Sequence, residues 1–210
     1  MGWTSEIVAQ TYNIPREKQD HYAYISHSRA EKVPAIFVSC LSNVLTVHSP
    51  RNFQALKAGK FAAEIIPIEI DGGVISVDDT VRPGVTVSSL SALKPVFPQW
   101  GPGENLGEAT TTAGNASGVG DGAALCILTT RSRAQKEGWE VLGKWVSSSV
   151  VGVEPRVMGI APAVAIPKLL ERAGLKKEDV DLWEINEAFA SQFTYCVEQL
   201  DVPIEKINPK

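Results

Sequence analysis

The sequence predicts an α/β layered fold, because segments with strand and helix patterns alternate through its second half. Residues 123–130 and 180–185 are apolar strand candidates, whereas 161–175 and 187–200 carry apolar residues at helical spacing. The first half is less regular. The chain has 210 residues, of which 44% are hydrophobic and 21% charged, so one large domain or two small ones can bury a core.

The first half predicts one long helix and one strand pair. The helix follows Pro15, since proline suits a first turn and Tyr22, Ile25 and Arg29 recur at helical spacing. Lys and Arg collect toward its C-terminal end, where cations interact favourably with the helix dipole. Residues 64–70 alternate in polarity and precede a glycine-containing turn, which predicts a strand pair.

The second half predicts a long loop and then the alternating elements. Residues 101–122 are rich in Gly, Thr, Asn and Ser, which is typical of a loop. Residues 123–130 then predict a buried strand, and a short helix follows that ends at Gly138. Another strand region covers 141–153, and the helix over 161–175 has Gly174 as its natural stop.

Composition excludes several classes of function. The net charge of -4 gives no general basic surface for nucleic acid. The three cysteines lie far apart without a CxxC motif, so we expect no disulfide framework and no metal site, and a reducing compartment fits best. The longest uncharged apolar run, 33–47, is short for a membrane span and contains Ser and Asn.

Four long motifs resemble the thiolase family, and the 3-ketoacyl-CoA thiolases in particular. They occur in the family's order over most of the chain and are far more specific than a lone glycine-rich loop. The motifs are "MGWTSEIVAQTYNIPREKQD", "TTTAGNASGVGDGAAL", "VGVEPRVMGIAPAVAIPKLLERAGL" and "EINEAFASQF".

The resemblance implies an incomplete thiolase-like layered fold. A thiolase subunit has two similar α/β halves and a loop domain that covers coenzyme A. We expect 1–112 to form the loop domain, 113–150 the end of the N-terminal half and 151–210 the start of the C-terminal half. Each sheet would then be incomplete, and exposed sheet edges favour aggregation.

The resemblance also implies the chemistry. In thiolases a cysteine thiolate takes an acyl group from a 3-ketoacyl-CoA, and coenzyme A accepts it, as in fatty-acid β-oxidation. The family's nucleophilic cysteine lies upstream of the motif that opens this chain, and its "GHP" histidine and second cysteine lie downstream of "INPK". None of the three cysteines and three histidines present lies in those motifs. We therefore expect this chain alone not to catalyse thiolysis.

The polar pair Asn186-Glu187 separates two apolar runs in "DLWEINEAFASQF". By resemblance, Asn186 is the predicted catalytic residue, because it matches an asparagine whose amide holds a water that, with a histidine, donates to the thioester oxygen. Ala188 and Phe189 would lie beside the acyl pocket. The residues alone favour an asparagine N-cap for the helix over 187–200, and the two roles are compatible.

The glycine-rich loop supplies the first predicted contacts with coenzyme A. Ala113 and Ser117 match family positions that touch the pantetheine arm, where small residues let a thin ligand approach closely. Without the resemblance, the same stretch predicts an ordinary turn before a buried strand.

Four further residues match family positions along the same ligand. Arg82 and Ser89 lie near the nucleotide of coenzyme A, where a guanidinium suits an adenine face or a phosphate. Met1 and Met158 match apolar positions that line the pantetheine and acyl tunnel. A lone arginine is otherwise a surface charge, and a methionine otherwise packs in a core. Coenzyme A is here a substrate, and no metal or redox cofactor is implied.

Residues 33–54 interrupt the family pattern with an apolar, β-prone stretch that contains no acidic residue. Its first residue is Val, whose codons begin with GT, and its last is Gln, which the codon CAG encodes, so its ends are compatible with those of an intron. Two interpretations stay open: a short retained intron, or a genuine surface insertion. Residues 102–107 are a second, shorter stretch that is additional to the family pattern.

Three hypotheses follow for the whole chain. The first is a fragment of a thiolase, whose full-length form would be a homodimer or tetramer that binds acyl-CoA and coenzyme A. The second is a non-catalytic module that binds coenzyme A or pairs with a thiolase subunit. The third is a chain that never folds stably. The motif wording favours the peroxisomal degradative group, with mitochondrion or cytoplasm as alternatives, and chain-length preference stays open.

Overall fold

The computed structural model describes residues 1–32, 65–76, 82, 84–97 and 108–208, in which helices enclose two hydrophobic clusters. The elements, in chain order, are α1 (Gly2–Thr11), α2 (Arg16–Lys32), β1 (Ile68–Ile70), β2 (Gly73–Ile75), α3 (Val87–Ser91), α4 (Arg131–Glu137), a 3-10 segment (Pro155–Ile160), α5 (Ala161–Ala173), a 3-10 turn (Lys177–Asp179), α6 (Ala190–Leu200) and a last 3-10 turn (Ile204–Lys206). The segments 33–54 and 102–107 lie outside the described residues.

The helices predicted from the sequence are confirmed, and two of them end at the glycine predicted to stop the helix. Gly138 after α4 and Gly174 after α5 adopt the left-handed conformation, with φ of 68° and 66°. Glycine adopts this conformation without the steric cost that a Cβ atom brings. Helix α2 follows Pro15 as expected.

Helix α6 begins three residues later than the sequence predicts, so the expectation that Asn186 caps it is wrong. The N-cap is Phe189, whose backbone N–H donates to Oε1 of Gln192 at 3.2 Å. Residues 188 and 189 stay outside the helix because their backbone pairs with the loop at 115–117.

The larger hydrophobic cluster is built around α6. The ring of Phe193 meets that of Tyr22 from α2 edge to face, with centroids 5.8 Å apart. Such aromatic pairs stabilise a core beyond the area they bury. The buried members of the cluster are Trp183, Ile185, Phe193, Val197, Leu200, Val202 and Ile207.

The second cluster joins α1 to the 3-10 segment Pro155–Ile160. Its buried members are Ile7 and Val8 from α1 with Val157 and Ile160. Nearby, Gly159 lies so close to α6 that a Cβ atom there would come within 2.7 Å of the Gln192 side chain. The glycine therefore lets the 3-10 segment and α6 approach each other.

The predicted strand pair is confirmed as an antiparallel hairpin, in which Ile68 pairs with Ile75 and Ile70 with Gly73. The expectation of a buried strand over 123–130 is wrong. That stretch contains no helix and no paired strand: Leu125 is 102% exposed, and its backbone makes no hydrogen bond to the backbone of another part of the described chain. Residues 141–153 likewise make no backbone–backbone hydrogen bond there, although the Arg172 side chain donates to the Ser148 carbonyl at 3.3 Å.

The predicted strand over 180–185 is present only as a short parallel pairing. The Trp183 N–H donates to the Lys206 carbonyl at 2.8 Å, and the Asn208 N–H donates to the Trp183 carbonyl at 2.8 Å. The Asn208 side chain extends the ladder, since its amide bonds both the N–H and the carbonyl of Ile185. In the described part of the chain, no helix has the length and apolarity to cross a membrane.

This arrangement is an α/β fold with incomplete sheets, as the sequence predicts. The only pairings among the described residues are one hairpin and isolated bridges, so strand-like segments remain without neighbours. Because a strand obtains its hydrogen bonds from adjacent strands, such segments stay solvent-exposed.

Candidate functional site

The glycine-rich loop and the segment after Asn186 form one surface through backbone pairing. The Ser117 N–H donates to the Ala188 carbonyl at 3.0 Å, and the Ala190 N–H donates to the Asn115 carbonyl at 2.9 Å. These bonds form an antiparallel bridge and place two of the predicted ligand-binding residues, Ser117 and Ala188, side by side. Stretches of chain that are far apart in sequence thus share one rigid edge.

The predicted residues on this surface differ in exposure. Ala113 and Ser117 are exposed, whereas Ala188 and Phe189 are half-buried. The Phe189 ring packs edge to face on Phe97, with centroids 6.5 Å apart. The two rings, which we call the aromatic wall, therefore hold each other in place, while the small residues of the loop face solvent.

The N-terminal end of α1 packs against the same aromatic pair. A Cβ atom on Gly2 would lie 2.3 Å from the Phe97 ring, so only glycine fits there without a shift of the ring. Met1, one residue earlier, is exposed, and Met158 is half-exposed on the 3-10 segment that packs on α1. The structure places both methionines at surfaces rather than in the core.

A buried carboxylate anchors the start of the loop. Glu6, which is 5% exposed, accepts the Thr110 N–H at 2.9 Å and the Thr111 N–H at 2.8 Å. It also accepts the Thr110 hydroxyl at 3.0 Å. Hydrogen bonds to an ionised group are the stronger kind, so this side chain fixes the backbone at the loop entrance.

Three buried hydroxyls join α1, the loop and α6. Oγ of Ser5 lies 2.8 Å from Oγ1 of Thr111 and 2.7 Å from Oγ of Ser191. Hydroxyls both donate and accept, so such a set can satisfy itself in the interior. The loop is thereby attached to the first turn of the helix that follows the predicted asparagine.

A second polar chain attaches the middle of the loop to α2 and α3. Asn115 donates from Nδ2 to the buried Asp20 at 3.0 Å, and Asp20 accepts from Nε of Arg16 at 2.7 Å. Arg16 in turn donates to the carbonyls of Leu90 and Leu93 at 2.8 and 3.0 Å. Both carboxylate oxygens of Asp20 are therefore used.

The two members of the Asn186-Glu187 pair have different environments. Asn186 is exposed, and its carbonyl accepts from Nε2 of Gln192 at 3.1 Å. The Glu187 carboxylate accepts from the Ser26 hydroxyl and from Nδ2 of Asn208, the latter at 2.8 Å. The carboxylate thus fixes the backbone from which the amide projects.

One acidic group near this pair has a perturbed proton affinity. The pKa of Glu184 is raised above its ordinary value, first by burial and then by the negative charge of Glu187. Glu187 itself is held by two donors, so of the two carboxyl groups that flank Asn186 in the sequence, Glu187 is the anchored one.

Ser89 and Arg82 are the two residues predicted to lie near the nucleotide of coenzyme A. The Ser89 hydroxyl takes part in the N-terminal cap of α3: it accepts the Thr86 N–H at 2.9 Å and donates to the Thr86 carbonyl at 2.8 Å. Ser89 is exposed on a helix that Arg16 attaches to the loop region. Arg82 is exposed, and the described residues give it no hydrogen bond to the loop.

Sequence reasoning missed the residues that hold the loop. Glu6, Asp20 and Asn115 are buried, although such side chains normally lie at the surface. One signal was available: Arg16 and Asp20 stand four residues apart on one helix, the spacing of an ion pair. Nothing in the sequence indicates that Glu6 meets the backbone of Thr110.

The cysteines with a described environment do not resemble activated nucleophiles. Burial raises the pKa of Cys196 to about 11, and its thiol donates to the Gly159 carbonyl at 3.6 Å. A raised pKa disfavours the thiolate, which is the reactive form. Cys126 lies in the exposed extended stretch. Within the described residues, no group of three or more His, Cys, Asp or Glu could hold a metal.

Two family models match the chain. "Thiolase, N-terminal domain" covers residues 46–132, and "Thiolase, C-terminal domain" covers residues 139–210. Curated relatives include the peroxisomal 3-ketoacyl CoA thiolase 1 of Petunia hybrida, 45% identical over 99% of this chain and 41% of the relative. The peroxisomal 3-ketoacyl-CoA thiolase A of Mus musculus is 43% identical over 100% of this chain and 44% of the relative.

Solved thiolase structures match with the same coverage. The dimeric peroxisomal thiolase of Saccharomyces cerevisiae is 40% identical with a TM-score of 0.77, over 100% of this chain and 46% of that one. Human mitochondrial 3-ketoacyl-CoA thiolase in complex with CoA is 35% identical with a TM-score of 0.73, over 98% of this chain and 44% of that one.

The chain thus spans less than half the length of the relatives it matches. The domain limits and the roles of the site residues inferred from sequence stay predictions. The family inferred from the four motifs and the incomplete α/β fold are confirmed, because both domain models and the solved structures agree. This chain belongs to the thiolase family.

Proposed function

We propose that the chain forms part of a 3-ketoacyl-CoA thiolase, an acyltransferase that passes an acyl group from a 3-ketoacyl-CoA to coenzyme A. The observation that carries the proposal is the backbone pairing of the loop at 115–117 with residues 188–190. This pairing brings the small exposed residues of the loop beside the predicted asparagine and the aromatic wall. A long thin ligand needs such a combination of small residues, which its arm can approach closely, and an apolar end.

Within this site, Ala113 and Ser117 contact the pantetheine arm of coenzyme A. Their side chains are small and exposed, so the ligand can approach the backbone closely. Ala188 and Phe189 border the acyl group, and packing on Phe97 keeps the Phe189 ring in place. Met1 and Met158 line the tunnel, while Arg82 and Ser89 contact the nucleotide end.

Asn186 holds the water that donates to the thioester oxygen. Stabilising the charge that develops on such an oxygen requires a group that is already in position. The anchored Glu187 carboxylate and the bond from Gln192 to the Asn186 carbonyl support that positioning. The side chain itself is exposed, as a group that must reach a ligand has to be.

This chain alone does not turn over substrate in our proposal. The reaction needs a cysteine thiolate, and the buried Cys196 retains its proton because its pKa is about 11. Cys126 lies in the exposed extended stretch and not on the paired surface of the loop. The chain therefore binds coenzyme A and supplies the asparagine, and other parts of a thiolase supply the nucleophile.

The proposal is tested by titrating the chain with coenzyme A in a calorimeter. We expect wild-type binding, and we expect Ser117→Leu to weaken it about tenfold or more by blocking the approach to the loop backbone, a loss of about 1.4 kcal/mol. Ser148→Leu, at an exposed serine away from the loop, is the matched control and should change affinity less than about twofold.

Two outcomes would contradict the proposal. One is the absence of heat on titration of the folded wild-type chain with coenzyme A. The other is unchanged affinity in Ser117→Leu. A thiolysis assay with a 3-ketoacyl-CoA completes the test, since measurable turnover by this chain would show that the nucleophile is present after all.

A second candidate is a non-catalytic module that pairs with a thiolase subunit. The extended, exposed apolar stretches within 118–130 and 139–154 favour it, because unpaired strands bind other strands. The dimeric yeast relative suggests a thiolase-like homodimer or tetramer for the complete protein. The names of the plant and mouse relatives suggest the peroxisome, and the human structure keeps the mitochondrion as the alternative.

A further inference from the structure

The polar chain from Asn115 to Arg16 joins two surfaces that the proposed function assigns to opposite ends of one ligand. At one end, the Asn115 side chain accepts the Thr112 N–H at 2.7 Å, inside the loop that carries Ala113 and Ser117. At the other end, Arg16 donates to carbonyls at the end of α3, the helix that carries Ser89. Asp20 lies between them and is fully buried.

Direct packing reinforces this connection. A Cβ atom on Gly114 would lie 2.6 Å from Cδ2 of Leu90 and 2.6 Å from Cδ1 of Leu93. The loop backbone therefore rests directly on the leucines whose carbonyls Arg16 binds. A further bridge, in which the Val96 N–H donates to the Thr111 carbonyl at 2.9 Å, closes the same contact.

We propose that Arg16, Asp20 and Asn115 are positioning residues that hold the Ser89 helix and the 113–117 loop at a fixed separation for coenzyme A. None of the three needs to touch the ligand. They act by making two contact surfaces one rigid receptor, so a ligand that spans both surfaces is bound without a further ordering cost. This inference rests on the proposed function, which assigns the two surfaces to one ligand.

The chemistry of the three residues suits this role. Asp20 accepts from Arg16 with one carboxylate oxygen and from Asn115 with the other, so one buried group holds both of these side chains in place. The guanidinium of Arg16 reaches the carboxylate and two carbonyls at once, which the single ammonium of lysine cannot reproduce. Both carboxylate oxygens of Asp20 and both polar atoms of the Asn115 side chain thus have partners, which makes the connection rigid.

The inference predicts a difference between long and short ligands. In Asp20→Asn, one of the two carboxylate bonds is lost, because an amide nitrogen replaces an acceptor oxygen. We expect coenzyme A, which spans both surfaces, to bind about tenfold more weakly or worse. Pantetheine, which reaches only the loop, should bind within about twofold of wild type. Arg16→Lys should show the same selective loss to a smaller extent.

The experiment titrates coenzyme A and pantetheine into each variant by calorimetry, after circular dichroism confirms folding. The matched control is Arg133→Lys, at an exposed i,i+4 ion pair with Glu137 on α4, and its ratio of affinities should equal that of wild type. Parallel loss for both ligands would reveal a merely structural role and overturn the inference. Unchanged affinity for both would also overturn it.

Hydrogen exchange without ligand separates this inference from the proposed function. If the wild-type chain binds no coenzyme A, the proposed function fails, and exchange still tests the connection. We expect Asp20→Asn to speed exchange about tenfold both at Ala190, whose N–H bonds the loop, and at Leu90 in α3. Faster exchange on only one side, or on neither, would overturn the connection.

Discussion

Two regions of this chain differ sharply in how their apolar residues are covered. The helical unit comprises α1, α2, α6 and the loop at 110–117, and its residues Val8 and Phe193 are 0% and 4% exposed. The extended region comprises residues 118–130 and 139–154, on either side of α4. There, Leu125 and Val150 are 102% and 96% exposed. Both regions are rich in aliphatic residues, yet only one forms a core.

The difference follows from where each element finds its hydrogen bonds. A helix satisfies its backbone within its own segment and needs neighbours only for one apolar face. A strand needs an adjacent strand for its backbone as well. The helices therefore bury their apolar faces against one another, whereas the extended region has no adjacent strands in the described chain. An apolar, β-prone pattern identifies the conformation but not the partner.

Truncating an aromatic ring in the helical unit should have the largest effect. We expect Phe193→Ala to lower the free energy of unfolding by about 3–5 kcal/mol, because the ring fills the larger cluster against Tyr22. Leu125→Ala, in the extended region, should change it by less than about 0.5 kcal/mol. Urea denaturation followed by circular dichroism measures both, and equal losses would contradict the comparison.

Removing a buried charge should have the next largest effect. Glu6→Gln keeps the shape but replaces an oxygen that accepts backbone N–H groups, so we expect a loss of about 1.5–3 kcal/mol in the free energy of unfolding. Glu137→Gln breaks only the exposed pair with Arg133 and should cost less than about 0.5 kcal/mol. A Glu6 variant as stable as the control would show that the carboxylate does not anchor the loop.

Two helix-ending glycines test the comparison with the same chemistry in both regions. Gly174→Ala forces alanine into a left-handed conformation and should lower global stability by about 1 kcal/mol, since α5 packs on α6. Gly138→Ala carries the same strain but should leave the urea midpoint unchanged, because α4 lies between the two stretches of the extended region. No atom lies within 4 Å of either added Cβ, so packing does not differ. A matching shift in both variants would show that α4 unfolds with the core.

Thiol reactivity should differ between the regions without any change in stability. In a Cys40→Ser background at pH 8, iodoacetamide should alkylate exposed Cys126 quickly and buried Cys196 slowly. The pKa of Cys196 is raised to about 11, so below that pH its thiol keeps its proton and is a poor nucleophile. Mass spectrometry locates the label, and adding urea should equalise the two rates. Equal rates in the folded protein would contradict the burial of α6.

Local chain signals were predictable from the sequence. Helix ends at Gly138 and Gly174 and the hairpin turn after Ile70 each depend on a few neighbouring residues. The late start of α6 was not predictable, because it depends on pairing with the loop at 115–117, which lies about a third of the chain earlier in the sequence.

The candidate site divides in the same way. Motif resemblance identified the loop and the Asn186 segment, and the structure brings Ser117 and Ala188 together. The buried supports were missed because a carboxylate such as Glu6 reads as a surface charge until its distant partner Thr110 is known. Sequence patterns describe what a residue prefers, whereas burial of a polar group depends on the exact donors that surround it.

Amide hydrogen exchange of the wild-type chain, read by mass spectrometry, tests the central comparison most directly. The account predicts strong protection of α1 and α6 and of the Ala190 amide that bonds the loop. It predicts near-complete exchange within seconds over residues 118–129 and 140–150, whose backbone N–H groups donate to no backbone carbonyl of the described chain. Protection of those two stretches equal to that of α6 would contradict it.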